Sequence, residues 1–385
     1  MPDLKARMAP ELPHGPMKVL FLDQGRTTSG TAMGHVRVQH ALAAALPGLA
    51  TDLRTVRSEV PAFTLAQRLF ARPVRSLHGW DLWAVRWHLA RSWAARQLVK
   101  RSIVTTRPDV AHITTDQVAL LLSDVQDNLP CVPSLDILTL DWVRLVQRIP
   151  PEAALPAFLR PLAYLERRAL ERAPLCIAWT ATIADSIARL APKAKTEILH
   201  PGLDLETLRP IRKPAVGRPM RVLFVGGRWQ AKGGPALVRA LRPELGSRVT
   251  LDVVTTESID VADGMYVHAA KPGSADLADL FARADIFCLP TSADAVPWVV
   301  LEAMASGVPV VSTRIGSIPE MLGGQAGLAV EPGDIDGLRR ALHTLLEDAE
   351  LRTSMGEAGR ARSEELYDAR KNTPELIDRL ASVAK

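Results

Sequence analysis

Cysteine is scarce in this chain: Cys131, Cys176 and Cys288 are its three, spread over 385 residues. Each sits in an apolar run, which suits a buried reduced thiol and excludes a disulfide framework or a cysteine-held zinc. Long uncharged apolar runs are missing too, so no segment reads as a membrane span. Low-complexity tracts are absent, and the opening stretch MPDLKARMAPELPHGPM holds no apolar core of signal-peptide length. There is no convincing Asp-x-Asp metal site. Asp334 and Asp336 have that spacing, but they open the helical pattern IDGLRRAL, where acids suit the helix dipole. These absences lead us to expect a cytoplasmic protein.

The composition, 47% hydrophobic and 23% charged, is that of a globular protein, and 385 residues exceed one ordinary core. Two domains are expected. The charge is uneven: residues 1–190 carry 23 Lys and Arg against 16 Asp and Glu, although the whole chain is only +5. The basic excess therefore belongs to the first half.

Two segments rhyme. KVLFLDQG (18–25) and RVLFVGGR (221–228) each run from a basic residue through an apolar strand into glycine. Helical patterns follow both, HVRVQHALAAAL (35–46) and GPALVRALRPEL (234–245). Later strands are expected at DVAHI (109–113), CVPSLD (131–136), LCIAW (175–179), RVTLDVV (248–254), MYVHA (265–269), DIFCLP (285–290) and VPVVST (308–313). Strands alternating with helices argue for two parallel-sheet α/β domains. RPIRKPAVGRP (209–219) is rich in proline and basic residues and reads as the linker. The domains are then 1–208 and 220–365, with 366–385 as a C-terminal helix.

Open parallel sheets bind ligands at the carboxyl ends of their strands, so the turns there are the candidates. GRTTSGTAMGH (25–35) brings Gly25, Gly30 and Gly34 to a helix start, without dinucleotide-fingerprint spacing. It reads equally as an anion loop or a plain loop. GGRWQAKGG (226–234) embeds Arg228 and Lys232 among four glycines at another helix start. Two cations there match a diphosphate, against the plainer reading of solvated surface charges. DAVPWVVLEAMASGVPVVST (294–313) places Asp294 and Glu302 either side of seven uncharged residues, with Pro297 expected at the first helical position. Carboxylates in so apolar a setting can grip sugar hydroxyls. Alternatively Asp294 caps the helix and Glu302 makes a structural hydrogen bond.

FVGGRWQAKGG (224–234), LADLFARADIFCLPTSADAVPWVVLEAMASGVPVVSTRIGSIPEML (277–322), GLAVEPGDIDGLRRAL (327–342) and LRTSMGEAGRAR (351–362) resemble the retaining family-four glycosyltransferases. PDVAHITT (108–115) and EILHPGLDLETLRP (197–210) match more weakly. The resemblance implies a GT-B fold, two Rossmann-like domains facing each other across a cleft, with the C-terminal helix crossing back to the first. It implies an acceptor-binding first domain and a nucleotide-sugar-binding second. Asp294 and Glu302 stand where the family has two glutamates, the first holding the donor sugar and the second the nucleotide ribose. Lys232 stands at the lysine that contacts the donor diphosphate. Gly30 lies in the region of the N-terminal glycine loop, and His112 at a histidine beside the transferred sugar. His112 and Asp294 are thus the candidate catalytic residues. Gly30, Gly227, Arg228, Lys232, Asp294 and Glu302 are the candidate donor-binding residues. The chain departs from the family in three places. Asp294 replaces a glutamate, and Leu135 stands where a histidine often precedes Asp136. The phosphate-loop arginine aligns with Gly227, and Arg228 matches it only after a one-residue shift. Such enzymes need no metal or other cofactor, because cations and a helix dipole neutralise the leaving diphosphate.

Residues 63–101 hold eight Lys and Arg against one acid, and four tryptophans, Trp80, Trp83, Trp87 and Trp93. Three of these lie at i, i+3, i+7 on one helical face. Arg86, Arg91, Arg96, Lys100 and Arg101 punctuate the same helix. Tryptophan with arginine on an amphipathic helix suits an anionic membrane surface, whereas an aromatic stripe also suits a core. No nucleic-acid-binding module is recognisable. The function expected is transfer of a hexose from a nucleoside-diphosphate sugar to a lipid-linked or glycan acceptor in cell-envelope polysaccharide or glycolipid assembly. In that case the enzyme is peripheral on the inner face of the plasma membrane. The alternatives are a soluble transferase acting on a small molecule and a catalytically inactive GT-B scaffold.

Overall fold

The computed structural model describes residues 17–23, 49–55, 83–114, 119–147, 149, 153–210 and 218–385. The expected helix at 35–46, the glycine loop at 25–35 and residues 211–217 of the expected linker lie outside them. The chain divides into two compact units. The first holds the described residues up to His200 together with Thr373–Lys385, and the second is Pro201–Asn372.

The first unit is built on strands β1 (Met17–Asp23), β2 (Leu49–Thr55), β3 (Val110–Thr114), β4 (Cys131–Leu135), β5 (Cys176–Ala178) and β6 (Thr196–Ile198). They form one parallel sheet in the order β2-β1-β3-β4-β5-β6. The apolar runs VLFL, VAHI and CVPSL are buried along their length, as strands covered on both faces require. Helix α1 (Trp83–Thr105) lays Ala94, Ala95, Leu98 and Val99 against Leu20, Leu22, Ala111 and Ile113. Further helices are α2 (Thr139–Gln147), α3 (Arg160–Arg172) and α4 (Ala181–Leu190). Leu170, Ile183 and Ile187 from α3 and α4 pack with Leu135, Cys176 and Ala178 of the sheet. Glu166, fully buried in α3, accepts the N–H groups of Thr139 (2.5 Å) and Leu140 (3.0 Å) at the start of α2.

The basic helix is therefore a core helix along one face. Arg91 is buried, and Arg96 and Lys100 are tied to Asp124. The opposite face carries exposed Trp93, Lys100, Arg101 and Val104. Residues 63–82, Trp80 included, and the side chains of Trp83 and Trp87 lie outside the described ones.

The second unit has strands β7 (Met220–Val225), β8 (Val249–Val254), β9 (Met265–His268), β10 (Ile286–Leu289), β11 (Val310–Thr313) and β12 (Gly327–Val330). Its parallel sheet runs β12-β11-β10-β7-β8-β9. The chain steps outward from β7 to β8 and β9, then returns to place β10 on the other side of β7. That reversal makes a topological switch point between β7 and β10, the position where such sheets leave a crevice for ligands. The helices are α5 (Gly234–Leu241), α6 (Ala275–Arg283), α7 (Trp298–Ala305), α8 (Ile318–Leu322), α9 (Ile335–Glu347) and α10 (Ala349–Leu366); α11 (Ala369–Ala381) begins in this unit and from Thr373 onward belongs to the first. Asp334 caps α9 by accepting the Gly337 N–H at 2.8 Å, as its position before IDGLRRAL suggested. Arg360 of α10 donates to the carbonyls of Leu208 (2.6 Å) and Ala305 (2.7 Å), clasping the last turn of α7.

Candidate functional site

The two strands at the switch point end in turns that touch. Beyond β7, the Gly226 N–H continues the ladder to Val254 O at 2.9 Å. The Gly227 carbonyl then accepts the Thr256 hydroxyl at 2.6 Å, so the chain is pinned as it leaves the sheet. Residues 228–234 fold back on themselves, with Lys232 N donating to Arg228 O and Gly234 N to Trp229 O, both at 2.9 Å. Trp229 lies buried beneath this turn, edge-on to Phe224 with ring centroids 4.9 Å apart. Two glycines let the turn close. A Cβ on Gly234 would fall 2.2 Å from the Trp229 ring. Gly233 has φ +84°, and a Cβ there would fall 2.0 Å from the carbonyl oxygen of Pro290, just past β10. The turn after β7 is thereby pressed onto the end of β10.

The turn after β10 is held from β11. Ser312 donates to Leu289 O and Thr313 to Thr291 O, each at 2.7 Å. Gly316, at φ +53°, passes so close that a Cβ would lie 2.5 Å from Asp294 O. Next to it, Ser317 N donates to Ala295 O at 2.9 Å. Three strand ends therefore converge on Asp294.

Lys232 and Asp294 are brought together. Lys232 Nζ stands 2.5 Å from Asp294 Oδ2 and 3.5 Å from the Ala293 carbonyl, with the side chains 21% and 15% exposed. The lysine stem runs over Gly226, where a Cβ would meet it at 3.1 Å. Asp294 does not cap α7. The cap is Pro297, extended at φ −70° and ψ 109°, and it makes no side-chain cap bond. Pro297 was expected one residue further on, as the first helical residue; helical dihedrals begin instead at Trp298, and Val300 N donates to Pro297 O at 3.0 Å.

Glu302 sits one turn into α7, buried between Leu301 and Ala303. Burial pushes its carboxyl up to about 7 from the ordinary 4.5. Gly227 is buried and Arg228 exposed on the same turn as Lys232. His112 lies in the first unit, inside β3, 1% exposed and edge-on to Phe21 at 5.5 Å. Burial lowers it to about 4, so it is a neutral imidazole at physiological pH. Leu135 is wholly buried in β4. Gly30 lies outside the described residues. Among the described residues no group of three or more His, Cys, Asp and Glu is placed to hold a metal ion.

Sequence reasoning missed Trp229, Thr256 and Gly316. Thr256 carries a usable signal, being a hydroxyl just beyond a predicted strand. Trp229 and Gly316 act through contacts with residues distant in sequence, which no local pattern reveals.

Residues 219–348 match the family model described as Glycosyl transferases group 1. A 113-residue stretch is 37% identical to sulfoquinovosyl transferase SQD2 of Arabidopsis thaliana, covering 28% of this chain and 22% of that protein. Over 231 residues the chain is 29% identical to D-inositol 3-phosphate glycosyltransferase of Streptomyces avermitilis, covering 52% of this chain and 50% of that one. The chain thus spans about half or less of the curated relatives it matches. The solved structure of sucrose-phosphate synthase from Thermosynechococcus elongatus superposes with TM-score 0.69 at 16% identity, over 95% of this chain and 99% of that one. With these matches beside the two parallel-sheet units, residues 219–348 resemble the glycosyl transferases group 1, and the chain has the α/β GT-B fold.

Proposed function

We propose that this chain transfers a hexose from a nucleoside-diphosphate sugar to a lipid-linked or glycan acceptor with retention of anomeric configuration. The observation that carries this is the Lys232–Asp294 pair at the switch point, with Glu302 buried on the helix that follows. Lys232 and Arg228 face the diphosphate, with the backbone of Gly227 in the same turn. Asp294 accepts from hydroxyls of the donor sugar, and Glu302 from the nucleotide ribose. By the family resemblance His112, a neutral imidazole, is the group that hydrogen-bonds the transferred sugar, and Gly30, outside the described residues, belongs to the glycine loop. The acceptor hydroxyl oxygen bonds to the anomeric carbon on the face from which the diphosphate departs. Its proton passes to the leaving oxygen, whose charge Lys232 stabilises, so no metal or other cofactor is needed.

The setting we propose is cell-envelope polysaccharide or glycolipid synthesis at the cytoplasmic face of a membrane. The exposed face of α1, with Trp93, Lys100, Arg101 and Val104, would meet anionic lipid. Among the described residues no helix is long and apolar enough to cross a membrane. A second reading, a small-molecule acceptor, draws on the 29%-identical relative named for D-inositol 3-phosphate.

A thermal-shift panel with UDP, GDP, ADP, CDP and dTDP tests the donor site. A ligand at 100 times its Kd stabilises the native state by about 2.7 kcal/mol, which raises Tm visibly. If one nucleotide stands out, its sugars become the donors to assay. If none does, the donor reading falls and an inactive GT-B scaffold takes its place.

A further inference from the structure

The ion pair in the site raises a question that the donor assignment leaves open. Lys232 is the cation expected to hold the diphosphate, yet its ammonium already lies 2.5 Å from Asp294 Oδ2. Both side chains are largely shielded, so the attraction is screened less than that of a surface pair. The turn bearing Asp294 is held by Thr313, Gly316 and Ser317, and the lysine stem passes over Gly226. A diphosphate that reaches Lys232 Nζ in this position sits within a few ångströms of the Asp294 carboxylate.

We propose that Asp294 is an internal counter-anion to Lys232 that disfavours the free nucleoside diphosphate and so speeds its departure after transfer. The inference rests on the donor reading above and adds a role to the acid that touches the sugar. In the donor complex, sugar hydroxyls donate to the carboxylate and offset its repulsion of the phosphates. Once the hexose has moved to the acceptor, those hydroxyls leave with it. The carboxylate then faces the diphosphate uncovered, and the ion pair with Lys232 re-forms as the nucleotide departs. The short aspartate side chain suits this role. It has one methylene fewer than the glutamate of the family pattern, and it reaches the ammonium directly.

The experiment measures Kd by titration calorimetry on the full chain, using whichever nucleoside diphosphate raises Tm most, and its glucose conjugate. Wild type is compared with Asp294→Asn, Asp294→Ala, Lys232→Ala and the Lys232→Ala/Asp294→Asn double variant. Both Asp294 variants should bind the nucleoside diphosphate about three- to tenfold more tightly than wild type, as removal of a largely shielded like charge predicts. Neither should bind the glucose conjugate more tightly. The double variant should recover part of the affinity lost in Lys232→Ala, because the single variant leaves the carboxylate bare against the phosphates. A damaged fold would weaken binding, so tightening cannot be mistaken for misfolding, and the alanine variant removes any new hydrogen bond from the asparagine amide. Unchanged or weaker binding of the nucleoside diphosphate in both Asp294 variants overturns the inference. If Lys232→Ala still weakens binding in that case, the donor reading survives it. Absence of nucleotide binding in wild type overturns both.

Discussion

Glu302 can be tested as a titrating group as well as a ribose ligand. Its carboxyl is buried in α7, and burial raises it from 4.5 to about 7. In the unfolded chain it ionises near its ordinary value. Between pH 4.5 and 7 the folded state therefore holds a proton that the unfolded state has lost, and stability falls as pH rises through that window. The gap corresponds to about 3 kcal/mol, fully present below pH 4.5 and lost once the pH passes about 7. Glu302→Gln is neutral throughout and escapes the loss. The variant should match wild type within about 1 kcal/mol at pH 5 and exceed it by about 3 kcal/mol at pH 8. For a unit of this size that is a rise of roughly 6–12 °C in Tm. The same substitution should weaken nucleotide binding, since an amide accepts hydroxyl protons less strongly than a carboxylate. Unfolding curves at pH 5 and pH 8, each with and without the nucleotide, supply all four numbers. A stability difference that is the same at both pH values would refute the burial argument. A stabilised variant with unimpaired nucleotide affinity would remove Glu302 from the donor site.

Lys232→Ala should weaken nucleoside-diphosphate binding by about 1.5–3 kcal/mol, the worth of a charge-assisted bond, and calorimetry would show an unchanged Kd if the turn after β7 does not face phosphate. Gly316→Ala forces a side chain into φ +53° and against the Asp294 carbonyl. It should cost about 1–3 kcal/mol in urea unfolding, and an equally stable variant would show that the turn relaxes freely. In the first unit, burial lowers His88 to about 3 and His112 to about 4. The unfolded chain takes up these protons first, so that unit loses stability as pH falls below about 6.5, and His112→Gln should be less acid-sensitive. Hydrogen exchange of peptides from α1 and β3 at pH 5 and pH 7 would show the loss; equal protection at both values would contradict it.

The strands were the most legible part of the fold. VLFV, TLDVV, IFCL and VVST are short apolar runs between turn residues, and each forms a buried parallel strand. Harder to foresee were β2, whose LATDLRT sequence reads as ordinary mixed chain, and β6, three residues long. Of the site, the sequence displayed the residue types: glycines around Arg228 and Lys232, and two acids in an apolar run. It could not display that Lys232 and Asp294, 62 positions apart, share one bond, because β10 must first dock beside β7. Nor could it settle the face of α1. Tryptophan and arginine at helical spacing look alike whether they meet core or solvent, and only the contacts of Ala94, Leu98 and Val99 assign the buried side.

The insertion of β10 next to β7 also sets when the site comes into being. β7 and β8 are near neighbours in the chain and can pair early, whereas the β7–β10 contact must close a loop of some sixty residues. The phosphate cradle proposed at the glycine turn is therefore complete only after β10 has docked beside β7. A nucleotide that binds there has no partial site to grip in the nascent or half-folded chain, so its binding energy is added to the finished unit alone. Supplied during refolding, it should raise the yield of native protein without altering the earliest phase of collapse, and destabilised variants of the second unit should be rescued by nucleotide wherever their turns remain intact.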